Sequence, residues 1–253
     1  MAERASFLAR HLGPALAAAA LLPALERTGA DSAVSRWFFD PVARAFPLRH
    51  NQWLELLGHE WAKALVVFVA VCTIGLYLMS FLVPALEPRR RLLLFLSAAL
   101  TAAPLAVVLL KAASVRHCPW SLREFGGSAP HLMLFDAAVP GLPPGHCFPS
   151  GHASAGFSLL AFYFAGRALG NRRLARAGLW GGLAAGTAFG MVRVAQGAHF
   201  LSHNLWSALV CWLVILALYI VLLGRAEAER AAQGGAPGPA GCARASLQPR
   251  SRL

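Results

Sequence analysis

Six apolar runs divide the chain. The clearest cover residues 61–83, 91–110, 174–192 and 205–223; an Ala-rich run at 7–25 and a short one at 153–169 complete the set. A bilayer core takes about 20 mostly apolar residues per helix. The pattern therefore predicts an all-α integral membrane protein, a six-transmembrane-helix bundle over residues 1–224, with both termini on one side. The first run has a second reading as a signal peptide, since Arg4 and Arg10 lead into it. Against that, Glu26-Arg27 follows with no small-x-small cleavage site.

Composition strengthens the membrane reading. Only 13% of residues are charged, 57% are hydrophobic and the mean hydropathy is +0.56. A soluble domain carries about 25% charged residues, and disorder over most of the chain requires low hydrophobicity. The net charge of +12 comes from 23 Lys and Arg against 11 Asp and Glu. These basic residues fall between apolar runs, which excludes a nucleic-acid footprint and makes the excess a topology signal. One face receives Arg4, Arg10, Arg89-Arg90-Arg91, the Arg167/Arg172/Arg173/Arg176 turn and the basic tail. By the positive-inside rule that face is cytoplasmic. The other receives loops 28–60 and 112–151 and the link 195–202. Residues 225–253, rich in Ala, Gly, Pro and Arg without periodicity, read as a disordered cytoplasmic tail. Residues 31–46 carry Trp37, Phe38, Phe39 and Phe46 among charges, which suits either an interfacial helix or an ordered loop with buried aromatics.

The chemistry concentrates on the outer face. Lys111 ends the third run and is followed by Arg116-His117-Cys118-Pro119; Pro149-Ser150-Gly151-His152 leads into the fourth; Arg193 ends the fifth, and His199 and His203 flank the start of the sixth. Lys111, Arg116 and Arg193 are cations suited to converge on one anion, Arg offering a planar fork for phosphate. Ser150, Gly151 and His152 stand at a helix N-terminus, where free N–H groups attract anions, and Gly151 permits close approach. Two imidazoles beside a cationic cradle point to phosphoryl transfer through a phosphohistidine, one attacking and the other protonating the leaving oxygen.

These segments resemble the three signature motifs of the type 2 phosphatidic acid phosphatase superfamily. Lys111 to Pro119 is similar to the first, Pro149-Ser150-Gly151-His152 to the second and Arg193-x5-His199 to the third. The resemblance implies a membrane lipid phosphatase with no metal and no cofactor, His199 as nucleophile and His152 as general acid. It also implies that Lys111, Ser150, Gly151 and Arg193 hold the phosphate. The chain departs from the pattern at Cys118, where the family has Arg; at Val192, where it has Ser; and at His203, where it has an Asp that orients the nucleophile. Arg116 lies two residues before the first departure and is expected to cover for it. A neutral His203 accepts a hydrogen bond from His199 but brings no negative charge.

The expected function is a lipid phosphate or diphosphate phosphatase of a bacterial-type inner membrane, its site facing the periplasm. Its partners are the lipid phosphate substrate and the membrane. A phosphotransferase with the same intermediate and a lipid-phosphate transporter are the alternatives. A metal reading also exists: His199 and His203 are one helical turn apart, and His131, His146 or His152 would have to supply further ligands. Gly178, Gly181, Gly182, Gly186 and Gly190 are expected to permit close helix packing. Cys118 and Cys147 share the outer loop, where an oxidising compartment favours a disulfide.

Overall fold

A computed structural model describes residues 2–56 and 61–224. The described residues form nine α-helices, three short 3-10 helices and no strand; the α-helices are α1 (Ala2–Arg27), α2 (Ala30–Arg36), α3 (Gln52–Glu55), α4 (Ala62–Met79), α5 (Arg90–Ala112), α6 (Gly151–Ser158), α7 (Ala161–Ala168), α8 (Arg172–Ala195) and α9 (Leu201–Leu222). Every apolar run contains α-helix. Three helical stretches are long and apolar enough to cross a membrane: Ser6–Arg27, Pro84–Ala112 and Leu201–Leu222. Lys63–Met79 is a shorter apolar helix. The tail at 225–253 and the residues His59 and Glu60 lie outside the described residues.

The run at 153–169 is not one helix. It breaks between α6 and α7, where Leu159 and Leu160 donate their N–H groups to the carbonyls of Gly156 and Phe157, three residues back. Such bonds tighten a turn and end the α-helical ladder. Ser158 Oγ bonds back to the Ala155 carbonyl at 2.6 Å, offering the chain a further local alternative to the ladder.

The core runs along α5, α6, α7 and α9, with Phe95, Val107, Phe157, Phe164, Ile215 and Tyr219 buried in one cluster. The glycines of α8 explain how that helix closes on it. Any side chain at Gly178 or Gly186 would strike the backbone of Phe162 and Tyr163 or the ring of Phe157. Gly181 faces open space and takes no part in this packing. The first helix is part of the bundle: His11 Nε2 lies 2.8 Å from the Tyr163 hydroxyl, and Trp212 Nε1 donates to the His11 carbonyl at 2.9 Å.

The segments that join the helices at one end pack on each other. Phe46, Leu122, Phe125, Ala129 and Phe200 form a second buried cluster with Phe38 and Phe39 against it. The segment at 31–46 thus combines the short helix α2 with a loop whose aromatics point inward, while Trp37 is 77% exposed. Phe46 presses on Gly197, whose φ of 71° and absent side chain make room for the ring.

Candidate active site

Each functional side chain stands where a helix meets this end of the bundle. Lys111 is in the last turn of α5 and Arg193 in the last turn of α8; Gly151 and His152 open α6; His199 precedes α9 and His203 lies in its first turn. Backbone bonds hold these ends in register. The carbonyl of Arg193 accepts from Ala198 and His199 at 2.8 and 3.3 Å, and Ser150 donates its N–H to the His203 carbonyl at 3.3 Å. Ser207 Oγ reaches the carbonyls of Ser150 and His203 at 2.9 and 2.8 Å, pinning α9 to the start of α6.

The segment after Lys111 runs beside the segment before Ser150. Gly145 and Cys147 donate to the carbonyls of Val115 and Arg116 at 3.1 and 3.0 Å, and His146 to that of Ser114 at 3.1 Å. Gly145 has no room for a Cβ, which would sit 2.5 Å from the Arg116 carbonyl oxygen. The Cys118–Cys147 disulfide closes this pairing. Its Cys147 sulfur lies 2.9 Å from the Ala198 carbonyl and 3.7 Å from His199 Nδ1. A disulfide sulfur has no proton, so these are packing contacts.

His199 and His203 meet through their Nδ1 atoms at 3.3 Å. Both rings are buried. Two imidazole nitrogens at that distance share one proton, and the choice of donor fixes both tautomers. If His199 donates, its Nε2 carries a free lone pair and His203 carries its proton on Nε2. Burial, then the positive charges of Lys111, Arg193 and His152, hold the His199 imidazole well below its usual range, against a smaller opposing effect of the Cys147 backbone. Ser150 Oγ and Arg193 Nε are buried donors with no partner among the described residues. A Cβ added at Gly151 would meet nothing within 4 Å, so space opens beside the α6 N-terminus.

Arg116 is placed differently from its expected neighbours. It is 4% exposed, donates from Nη1 to Glu26 Oε1 at 3.0 Å and lies 4.4 Å over the Phe148 ring. Its Nε and Nη2 have no partner among the described residues. Glu26 also accepts from Trp206 Nε1 at 3.0 Å and from the Leu134 N–H at 3.2 Å. One carboxylate at the end of α1 therefore ties the Lys111 segment, the outer loop and α9 together. Asp31 of α2 does the same for the start of α9: its two oxygens accept the Ser202 N–H at 2.8 Å and the Ser202 hydroxyl at 2.5 Å. Burial raises the Asp31 carboxyl above its ordinary range, and the Ser202 bonds pull it back in part.

Neither Glu26 nor Asp31 was signalled by the sequence, because their partners lie far along the chain with no spacing to reveal them. Gln196, fully buried and bonded to Arg193 at 2.7 Å, was also missed. Among the histidines named for a metal, His131 pairs with Glu124 at 3.1 Å and stacks on Phe200, while His146 is exposed in the loop. Cys147, His199 and His203 form the one group of described residues that could gather round a metal, but the Cys147 sulfur is bonded to Cys118 and has no thiolate to give. Asp136 accepts the Met133 N–H at 2.8 Å within its own loop.

No curated protein and no solved structure matches the chain. The three segments gathered round His199, by contrast, all fall within residues 92–226, the stretch that matches the family model described as the PAP2 superfamily. That match covers more than half of the 253 residues, and the chain belongs to the PAP2 superfamily.

Proposed function

We propose that this protein is a membrane lipid phosphate or diphosphate phosphatase, with six spans, a site on the non-cytoplasmic side and a phosphohistidine intermediate on His199. Members of the superfamily are phosphatases, which supports hydrolysis of a phosphate ester. The long apolar helices support a membrane setting and hence a lipid substrate. The observation that carries the mechanism is the buried His199–His203 contact at the end of the bundle where α5 and α8 end on Lys111 and Arg193.

In the proposed reaction Lys111, Arg193, Ser150 and the backbone N–H of Gly151 hold the phosphoryl oxygens. His199 keeps its Nδ1 proton in the hydrogen bond it donates to His203, leaving the Nε2 lone pair free to attack. The N–P bond forms as the P–O bond to the lipid breaks, and His152 gives its proton to the departing oxygen. His152, now neutral, takes a proton from water, which attacks the phosphohistidine and releases phosphate. Arg116 adds positive charge from behind, held by Glu26. The depressed basicity of His199 suits this role, since the ring stays neutral and ready to attack.

The test is purified protein with phosphatidic acid, phosphatidylglycerol phosphate, an isoprenyl diphosphate and lipid A, each with and without chelator. Free phosphate from at least one lipid, unchanged by chelator, is the expected result. Quench in alkaline detergent during turnover should find a base-stable, acid-labile phosphoprotein that His199→Asn does not form. Absence of release from every lipid, or activity lost to chelator and restored by zinc, overturns the reading. Transfer to a lipid acceptor in place of free phosphate would make the protein a phosphotransferase.

A further inference from the structure

We propose that Gln196 is a further catalytic residue, donating an amide N–H to an oxygen of the transferring phosphoryl group while its carbonyl oxygen aims Arg193. The proposal rests on the phosphatase reading above.

Gln196 follows the last residue of α8 and is fully buried. Its Oε1 lies 2.7 Å from Arg193 Nη1. A guanidinium has donors and no acceptor, so the end of the amide facing it must be the oxygen. The NH2 group is therefore left over. Its Nε2 is buried and has no acceptor among the described residues. Leaving a buried donor unsatisfied is costly, and the neighbourhood gives the side chain no freedom to escape that cost. Arg193 is tied to Ala198 and His199 through its carbonyl, and Gly197 is fixed by Phe46 on one side and by the Trp120 N–H, which donates to its carbonyl at 2.9 Å, on the other. The loop thus holds an amide between the phosphate-clamping Arg193 and the attacking His199, three residues from each.

Two more donors in the neighbouring segments, Ser150 Oγ and Arg193 Nε, are buried in the same unsatisfied condition. A phosphoryl group is the acceptor-rich partner that suits such a set. A neutral amide adds a donor without adding charge to a site that already holds Lys111 and Arg193. It exchanges no proton: the His199–phosphorus bond forms, the ester P–O bond breaks, His152 protonates the leaving oxygen, and Gln196 hydrogen-bonds to a non-bridging oxygen throughout. Preorganised donors of this kind act on charge that develops in the transition state.

The test compares Gln196→Glu with Gln196→Leu. The glutamate has the same shape and keeps an oxygen on Arg193, so a residue that only aimed Arg193 would be replaced without loss. A donor would be lost and an anion set against the phosphate. The expected result is a fall in kcat of about a hundredfold in both variants, larger in Gln196→Glu, the lower part of the range for a lost oxyanion-type donor. Binding of orthovanadate, read as a ligand-induced rise in Tm, should weaken in step, and this readout works even if no lipid substrate has been found. Gln196→Glu with wild-type kcat and wild-type vanadate response overturns the proposal. So does a wild-type protein that orthovanadate does not stabilise. A wild type that binds orthovanadate yet cleaves no lipid phosphate would sink the phosphatase reading and leave the amide's anion contact to be judged by the variants' binding.

Discussion

At the residue scale the informative positions are those where space, charge and tautomer can be changed one at a time. Gly151 is the simplest. A methyl there meets no protein atom, so Gly151→Ala should keep the wild-type Tm. It would fill space that the proposed phosphate occupies, so kcat/KM should drop at least about tenfold, roughly 1.4 kcal/mol. A fully active variant would remove the close approach from the mechanism. His199 gives a pH prediction with a definite sign. Its folded-state basicity lies well below that of a free imidazole, near 6.5. Below that pH the unfolded chain takes up a proton that the folded chain refuses, so stability falls as pH falls from 7 toward 5. Tm in detergent should drop less over that interval for His199→Asn than for wild type; equal slopes would contradict the origin assigned to the shift. His203 tests the tautomer. His203→Ala removes the acceptor 3.3 Å from His199 and should lose much of the rate. His203→Asp supplies an acceptor that persists to lower pH and should stay active further into acid. A wild-type rate in His203→Ala would hand the orienting role elsewhere.

At the element scale the site depends on parts that carry none of the three motifs. Asp31 caps α9 from another helix, accepting both the Ser202 N–H and its hydroxyl in a buried setting. Loss of a helix cap costs about 1 kcal/mol, and leaving the Ser202 donors buried adds about 1–3 kcal/mol. Asp31→Ala should therefore lower Tm by several degrees and reduce the rate through a loosened His199, while Asp31→Asn, which retains an acceptor for the Ser202 N–H, should lose less. Equal Tm values for Asp31→Ala and wild type would exclude the cap. What the sequence made legible follows the range of the interaction. The three motifs, the two cysteines of one loop and the spaced glycines of α8 are local patterns. Glu26 and Asp31 are not, since one carboxylate among apolar residues looks like any span-end charge until the fold brings Arg116 or Ser202 to it. The break between α6 and α7 was hidden for a related reason: Leu159 and Leu160 continue the apolar run, and only the backbone bonding reveals that the helix has stopped. Arg116 shows the same limit, because the motif-like position before Cys118 said nothing of the buried partner waiting on α1.

At the scale of the whole molecule, two ends of the bundle differ in chemistry. One end gathers Lys111, Ser150, Arg193, His199 and the disulfide, capped by the aromatic cluster round Phe46 and Phe125. The helix directions put Arg90 and Arg91 at the start of α5, Arg167 at the end of α7, and Arg172, Arg173 and Arg176 at the start of α8, all at the other end. Arg side chains at the membrane edge are retained on the cytoplasmic side, so this asymmetry favours a site that opens outward. A disulfide beside the site agrees with an oxidising compartment. The orientation is open to direct measurement. A background with Cys72, Cys211 and Cys242 replaced by Ala keeps the oxidised Cys118–Cys147 pair, which does not react with maleimides. Into it, Ala137→Cys reports on the exposed loop between α5 and α6, and Arg172→Cys on the opposite end. In intact bacterial cells an impermeant maleimide should label position 137 and leave position 172 untouched until the membrane is opened. The reverse pattern would place the phosphate site in the cytoplasm. Labelling of both positions in sealed cells would mean that the two ends do not lie on opposite sides of the membrane, and the six-span arrangement would fall with it.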